Sequence, residues 1–229
     1  MFSSLLIFHI FSGAVALLAG YSVIVIKKGG TAHKYLGRSY VIAMLALGLT
    51  GTFIAVSREV PLSILNGLVL CYFVLSALNL MWQPPGNTNV WDKILFAFVL
   101  LITSGFAWFA YQASEVEGGQ LGGFGIQAYL VFGSVMLFCC IGDAGYLKRG
   151  GLNGKSRLVR HFWRMFFPLL MSTAAFFLGQ ARHLPEVLQN IGYLLAPVVF
   201  VLGTMIYWII KLRTNALAHE SVSHHHAEQ

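Results

Sequence analysis

The sequence has few charged residues for its length. Of its 229 residues, 10% are charged and 57% are hydrophobic, whereas charged residues make up about a quarter of an ordinary soluble domain. No polar stretch is long enough to form a separate soluble domain. These absences exclude a soluble enzyme or binding module and indicate a protein embedded in a membrane.

Cysteine is scarce as well. Cys71, Cys139 and Cys140 all lie in apolar segments, and two adjacent residues of a helix point about 100° apart. They predict neither a disulfide framework nor a metal site. Signatures of serine hydrolases, zinc proteases and phosphate-binding loops are also missing, which excludes those enzyme classes.

Long apolar runs are what the sequence has instead. A window of about nineteen residues finds seven candidate transmembrane segments. They lie at roughly residues 2–26, 39–56, 62–83, 93–113, 124–146, 162–181 and 191–211. We expect an all-α polytopic membrane bundle, because backbone groups in lipid must be paired within helices.

The ends of the chain carry two further expectations. The first apolar run has no basic region before it and continues past Ala14 to Ala16, which favours a retained helix over a cleaved signal peptide. One helical domain is predicted over residues 1–213. Residues 214–229, which contain a run of three histidines from His224, are expected to form an exposed polar tail.

The basic residues are distributed unevenly between the predicted loops. With the N-terminus outside, thirteen of the fifteen Lys and Arg residues fall on the inner side, and the exceptions are Arg58 and Arg182. The outer loop with Glu115 and Glu117 has no base. The positive-inside rule therefore predicts an outer N-terminus and an inner C-terminus. The net charge of +7 is then expected to face anionic lipid and not nucleic acid.

Residues 160–168, RHFWRMFFP, open the sixth apolar run. Arg160, Arg164 and Trp163 are typical of an interfacial collar, in which arginine stems follow the lipid and the indole lies at headgroup depth. Alternatively, His161 and Arg164 face the bundle, because Pro168 frees the backbone carbonyl of Arg164 and opens space there. The sequence leaves both interpretations open.

Polar residues recur at the inner ends of several predicted helices. They are His33, Arg38, Asn79, Gln83, Asp143, Tyr146, His161 and Arg164. Ionisable groups inside a membrane are costly and usually face the bundle interior in pairs. We expect Asp143 to neutralise Arg164 or Arg38, either as a structural salt bridge or as part of a transport site.

A second set of polar residues falls at the outer ends. On the first helix His9 is followed one turn later by Gly13, and the outer residues Gln180, Arg182 and His183 are candidates to meet it. A hydrogen bond between helices is one interpretation of His9. A flat macrocycle packed against Gly13 is another, although glycine serves close helix packing equally well.

Two inner loops begin alike, with a Lys-Lys-Gly-Gly run from Lys27 and a Lys-Arg-Gly-Gly run from Lys148. A histidine follows each at the start of the next helix, His33 and His161. A parallel internal repeat would place these imidazoles at equal depth, where they can hold an iron porphyrin. Independent origin of two short basic loops is the alternative.

Three segments together resemble a bacterial family of predicted multi-pass membrane proteins of unknown function. The segments are HIFSGAVALLAG, HKYLGRSYVIAML and RHFWRMFFPLLMSTAAFFLGQ. The resemblance extends over most of the chain and implies a bacterial inner-membrane protein. It also implies that His9, His33, His161 and Arg164 belong to a shared signature. A looser similarity, carried by helical histidines alone, links the chain to b-type membrane cytochromes and ferric-reductase-like bundles.

Three functions are compatible with these residues. The first is a redox protein that holds heme b or interacts with quinone. Its candidate cofactor-binding residues are His9, His33, His161, His183, Arg38 and Arg164. The second is a small proton-coupled transporter built on a polar cluster. Its coupling site is expected at Asp143, Arg164 and His161, next to Pro168. The further residues of the polar cluster are Asn79, Gln83, Tyr146 and Gln180. The third is an accessory subunit, assembled as a homo-oligomer or with a membrane partner.

Overall fold

The computed structural model describes residues 2–183 and 185–227, with side chains described for 3–182 and 185–214. This part of the chain contains seven α-helices. They are α1 Phe2–Val25, α2 Thr31–Ser57, α3 Pro61–Trp82, α4 Val90–Glu115, α5 Ile126–Lys148, α6 Gly154–Phe177 and α7 Ile191–Ala227. A short antiparallel hairpin, β1 Gln120–Leu121 and β2 Phe124–Gly125, joins α4 to α5. The predicted all-α membrane class is confirmed.

Six of these helices are long and apolar enough to cross a membrane, within the described residues. The exception is α6, where the sequence predicts a seventh segment. Its first half carries Lys155, Arg157, Arg160 and Arg164. The apolar remainder, residues 165–177, extends about 20 Å at about 1.5 Å per residue, less than the roughly 30 Å of a hydrocarbon core.

The chain divides into two compact units, Met1–Gly151 and Leu152–Gln229. The first unit contains α1 to α5 and the hairpin. The second contains α6, two 3-10 turns at Ala181–His183 and Glu186–Leu188, and α7. The backbone of α7 continues to Ala227, and the side chains of the predicted His-rich tail lie outside the described residues.

In the first unit, consecutive helices pack side by side. The loops at 26–30, 83–89 and 149–151 lie at one end, which we call the basic end. Its basic residues are Lys27, Lys28, Lys34, Arg38, Lys93, Lys148 and Arg149. The loops at 58–60 and 116–125 form the opposite end, where a Cβ on Gly122 would lie 2.8 Å from Pro61. Which end faces the cell interior stays a prediction.

Two glycines let α2 and α3 approach closely. A Cβ built on Gly48 would lie 2.7 Å from the carbonyl oxygen of Gly67 and 2.8 Å from the sulfur of Cys71. A Cβ on Gly67 would lie 2.6 Å from the carbonyl oxygen of Gly48. Lipid tails are as apolar as the helix surfaces, so the hydrophobic effect does not drive helices together inside a membrane. Close backbone contact of this kind is therefore a main source of helix association.

The two similar basic loops are built differently. Lys28 folds back over the end of α1, and its Nζ donates to the carbonyls of Val23 at 2.6 Å and Ile24 at 2.7 Å. These carbonyls have no donor within the helix. Partial burial lowers the pKa of the Lys28 ammonium. In the second loop Gly151 instead packs on the backbone of Asn87, with a built Cβ only 2.6 Å from its nitrogen.

Candidate functional site

A stripe of polar side chains runs along one buried face of α3. Tyr72, Ser76, Asn79 and Gln83 recur at spacings of three or four residues, and each is buried. Polar groups at such positions are costly unless they are hydrogen-bonded. The partners of this stripe lie on α4, on α5 and in the loop at the basic end.

Tyr72 and Asp143 join α3 to α5. The Tyr72 hydroxyl donates to Oδ2 of Asp143 at 2.7 Å, and the two residues are 0% and 4% exposed. Asp143 lies five residues before the end of α5, about 7.5 Å along the helix axis. A carboxyl group is therefore held inside the membrane-spanning part of the first unit.

A second buried carboxyl group, that of Asp92 on α4, has different surroundings. Its Oδ1 accepts from the Asn79 amide at 2.7 Å, and its Oδ2 accepts from the Gln83 amide at 3.1 Å and the Asn89 backbone N–H at 2.9 Å. The Asn89 side chain accepts from the Asp92 N–H at 3.1 Å. This capping box starts α4, so Asp92 serves as a joint between α3 and α4.

Tyr146 extends this network to the loop at the basic end. Its hydroxyl accepts from the Gln83 amide at 2.7 Å and donates to the carbonyl of Asn87 at 3.3 Å. Tyr146 is one helical turn from Asp143 on the same face of α5. A hydrogen-bonded chain that begins in loop 83–89 thus ends within one turn of Asp143.

His9 forms a hydrogen bond between α1 and α2. Its Nδ1 lies 2.9 Å from the Thr50 hydroxyl oxygen, and that hydroxyl donates to the Ala46 carbonyl at 2.6 Å. Because a threonine has one hydroxyl hydrogen, the His9 tautomer that fits both contacts carries its hydrogen on Nδ1. A Cβ on Gly51 would lie 3.2 Å from Cε1 of His9. The ring fits a notch on α2, and its Nε2 keeps a lone pair.

The glycine next to His9 serves helix packing. A Cβ built on Gly13 would lie 3.3 Å from the Leu47 side chain of α2. Of the two interpretations that the sequence allows for Gly13, close packing against α2 is the one that this contact supports. The space beside it is occupied by a side chain of the neighbouring helix.

His33 lies in the first turn of α2, at the basic end. The residue is half-buried, and its buried Nδ1 makes no hydrogen bond among the described residues. Arg38, on the next turn, is exposed. His33 and Thr50 are seventeen residues apart on one helix, or about 25 Å. Since His9 lies beside Thr50, His9 and His33 belong to two separate places in the fold.

The remaining predicted residues lie in the second unit. Arg164 is 0% exposed, and its guanidinium lies 5.5 Å from the centre of the Trp163 ring. His161, one turn before it, is half-buried, and α6 continues unbroken through Pro168. Gln180 is exposed beyond the end of α6. The side chain of His183 lies outside the described residues.

Sequence reasoning missed three members of this network, Tyr72, Asn89 and Asp92. Asn89 and Asp92 form the pattern Asn-x-x-Asp before an apolar run, which is a recognisable helix start. Tyr72 lies seven residues before Asn79, two turns along the same helix face. Among the described residues, no three His, Cys, Asp or Glu side chains are grouped closely enough to hold a metal ion.

Part of the chain is similar to a known family. Residues 6–83 match the model of DUF2306, described as a predicted membrane protein. This segment, about a third of the chain, is similar to the DUF2306 family. The predicted resemblance to membrane proteins of unknown function is thereby confirmed for α1 to α3. The DUF2306 segment contains His9, His33 and the polar stripe of α3, whereas RHFWRM lies outside it. No curated protein and no solved structure matches the chain.

Proposed function

We propose that this membrane protein is a proton-coupled transporter in which Asp143 carries the proton. The observation that carries the proposal is the buried Asp143 carboxyl, to which Tyr72 donates a 2.7 Å hydrogen bond within the spanning helices. Ionisable side chains within membrane spans commonly mark ion and proton pathways. The proposal needs neither a metal nor a cofactor.

The two buried carboxyl groups differ in whether the neighbouring groups can accept a hydrogen bond from a protonated carboxyl. A phenolic hydroxyl both donates and accepts, so Tyr72 can turn to accept a hydrogen bond from protonated Asp143. Asp92 faces two amide N–H groups and one backbone N–H, which only donate. A proton on either oxygen of Asp92 would face one of these donors, so a hydrogen bond that joins α3 to α4 or starts α4 would be lost. We therefore infer that Asp143, and not Asp92, carries the proton.

At the basic end, the hydrogen-bonded loop 83–89 lies where protons would enter, and it also closes the helix bundle. We infer that protons enter from that side beside Tyr146, which lies one turn from Asp143 and whose 2.7 Å contact with Gln83 joins α5 to the loop. At the opposite end, Tyr129 donates to the Leu121 carbonyl of the hairpin at 2.9 Å. Alternating access requires that these two closures open in turn.

Proteoliposomes that enclose a pH-sensitive dye provide the test. Candidate solutes, namely amino acids, organic acids and organic cations, are added outside, and proton movement is recorded. We expect solute-driven proton movement that is lost in Asp143→Asn and reduced in Tyr72→Phe. Glu117→Gln, which changes an exposed acid of the loop between α4 and the hairpin, is the matched control. Unchanged movement in Asp143→Asn, or none in the wild type, contradicts the proposal.

A redox function with heme b or quinone is the second candidate, and the geometry of His9 favours it. A metal-ligating histidine usually donates its other ring N–H to a fixed acceptor, as Nδ1 of His9 does to Thr50. Nε2 of His9 would hold the heme iron, and the heme would supply one-electron transfer. A quinone carbonyl oxygen only accepts hydrogen bonds, so His9 would bind it only with a hydrogen on Nε2.

The visible spectrum of the purified protein, oxidised and then reduced, separates the two candidates. Heme b predicts a Soret band and sharp reduced α and β bands that are lost in His9→Ala. Thr50→Val keeps the imidazole but removes its acceptor, so we expect weaker heme retention in that variant. A colourless protein overturns the heme proposal and leaves the transport proposal untouched.

The basic end of the first unit has a surface suited to anionic lipid. Lys27, Lys34 and Arg38 are exposed there, as are the aromatic rings of Tyr35 and Trp82, at 74% and 76%. Basic and aromatic side chains together are typical of headgroup depth. We infer that this end contacts an anionic leaflet, which predicts that anionic lipid binds more tightly than zwitterionic lipid in native mass spectrometry.

A further inference from the structure

Lys211 of α7 is held on an aromatic platform. Its Nζ donates to the Tyr207 hydroxyl at 3.2 Å and lies 5.0 Å from the centre of the Trp208 ring and 5.4 Å from that of Tyr207. Cation–π attraction and the hydrogen bond restrain a side chain that otherwise moves freely. The ammonium group is therefore positioned before any ligand binds.

The platform is fixed by packing inside the second unit. The ring of Trp208 lies 5.8 Å from that of Phe162 on α6, and Phe162 stacks on Phe166 at 4.4 Å. Aromatic pairs at such distances contribute beyond their buried area. The position of Lys211 thus depends on the pairing of α6 with α7 and not on one helix alone.

Lys211 lies at the depth where headgroups are found. The apolar run of α7 ends at Ile210, directly before Lys211, and basic residues at the end of an apolar run lie at headgroup depth. Beside Lys211 is an open recess of about 340 Å³ lined by Tyr207, Ile210, Lys211 and Thr214. Tyr207 and Ile210 are each 55% exposed, so the recess opens to the surroundings of the helix.

The donors in this recess match a phosphodiester. An ammonium has three hydrogens, and Lys211 uses one on Tyr207. Tyr207 accepts that bond, so its own hydrogen is free to donate. The Thr214 hydroxyl already donates to the Ile210 carbonyl at 3.0 Å. Among the described residues, no carboxylate lines the recess and Lys211 contributes a positive charge. Charge-assisted hydrogen bonds to phosphate oxygens are strong.

We propose that this recess binds the headgroup phosphate of an anionic phospholipid. Lys211 and Tyr207 hold the phosphate oxygens, and the exposed Ile210 side chain contacts the glycerol and the first acyl carbons. Lipid is the source and not soluble phosphate, because the recess opens at the edge of an apolar span and has an apolar wall. The proposal goes beyond transport and does not depend on Asp143.

Native mass spectrometry of the full chain in mild detergent tests this site. The protein is titrated with phosphatidylglycerol, with phosphatidylcholine and with inorganic phosphate. We expect tighter binding of phosphatidylglycerol than of phosphatidylcholine, and an affinity for phosphatidylglycerol about tenfold lower in Lys211→Gln. Tyr207→Phe, which removes only the hydroxyl, is expected to lower it about threefold.

Arg213→Gln is the matched control, since it removes one exposed positive charge two residues away on another side of α7. We expect less than a twofold change in that variant. Equal losses in Lys211→Gln and Arg213→Gln would show diffuse charge attraction and overturn the site. So would competition by inorganic phosphate, or a wild type that binds both lipids equally. Melting temperatures identify any variant that fails to fold.

Discussion

The hydroxyl of Tyr72 lies 2.7 Å from Oδ2 of Asp143 and connects the middle of α3 to the last turns of α5. Both side chains are buried inside the first unit. Lipid and apolar side chains offer a carboxyl group no hydrogen bonds, so contacts with polar protein groups hold it in this position. Its hydrogen bond to a residue that both donates and accepts is what makes a change of protonation feasible there.

Replacement of Tyr72 tests how strongly this bond holds the two helices. We expect Tyr72→Phe to destabilise the protein by about 1–3 kcal/mol, because a buried carboxyl group loses a donor. Thermal unfolding in detergent, followed by tryptophan fluorescence, measures the change. Tyr111→Phe, which alters a tyrosine that is 58% exposed, is the control. Equal effects of the two substitutions would show that the Tyr72 bond contributes nothing specific.

The glycine contact between α2 and α3 gives a second prediction. Gly67→Ala places a methyl group 2.6 Å from the carbonyl oxygen of Gly48, so the helices must move apart at a cost of about 1–3 kcal/mol. Gly142→Ala is the control, because a Cβ there has no atom within 4 Å and alanine favours a helix. We expect a lower melting temperature only for Gly67→Ala. An unchanged value for Gly67→Ala contradicts the close packing.

The start of α4 gives a third prediction. Asn89→Ala removes the cap of α4 and its pairing with Asp92, and we expect a loss of about 1 kcal/mol or more. Asn153 occupies the same position before α6 but makes no side-chain cap hydrogen bond. Asn153→Ala is therefore expected to leave stability unchanged. Urea or thermal unfolding of both variants measures the difference, and equal losses would count against the capping box.

Lys28 gives a fourth prediction. Lys28→Met removes the ammonium that bonds the last carbonyls of α1, and a cation at a helix C-terminus contributes about 0.3–1 kcal/mol. The neighbouring exposed Lys27 is the control. We expect hydrogen exchange at residues 22–26 to speed up in Lys28→Met and to stay unchanged in Lys27→Met. The same rates in both variants would show that the cap does not hold this end.

Hydropathy predicts most of this fold because a backbone that crosses lipid must pair its polar groups within helices or closed barrels. Six of the predicted segments correspond to helices that can span a membrane. The predicted start of the second segment at residue 39 is eight residues after the start of α2, since a helix can extend into the interface, where hydropathy falls. The sixth segment is predicted at residues 162–181, whereas α6 extends from Gly154 to Phe177, so both of its ends differ and Gln180 lies beyond the helix.

The residues of the candidate site are harder to predict from the sequence than the fold is. Asn79, Gln83 and Tyr146 are predicted as one cluster because polar residues stand out in apolar runs, and hydrogen bonds connect Gln83 to Tyr146 directly. A hydropathy window counts Tyr72 as apolar, so this residue does not stand out as a polar site in the sequence. Asp92 is hidden in what looks like a loop, one residue before the predicted fourth segment.

His9 shows why partners are harder to predict than positions. The sequence places it at the outer end of α1, with Gln180, Arg182 or His183 as candidate partners. Its Nδ1 bonds Thr50 of α2, a residue that the sequence does not single out. Periodicity gives the face of a helix but not its neighbour, and only the short connection between α1 and α2 indicates that α2 is the nearer helix.

The most direct test of the account is whether Asp143 itself takes up a proton inside the membrane. Infrared difference spectra of the reconstituted protein, recorded while the pH is lowered, detect the C=O stretch of a buried carboxylic acid. The account predicts a band that is present in the wild type, shifted in Tyr72→Phe and absent in Asp143→Asn. A band that persists in Asp143→Asn, or a wild type without one, would contradict it.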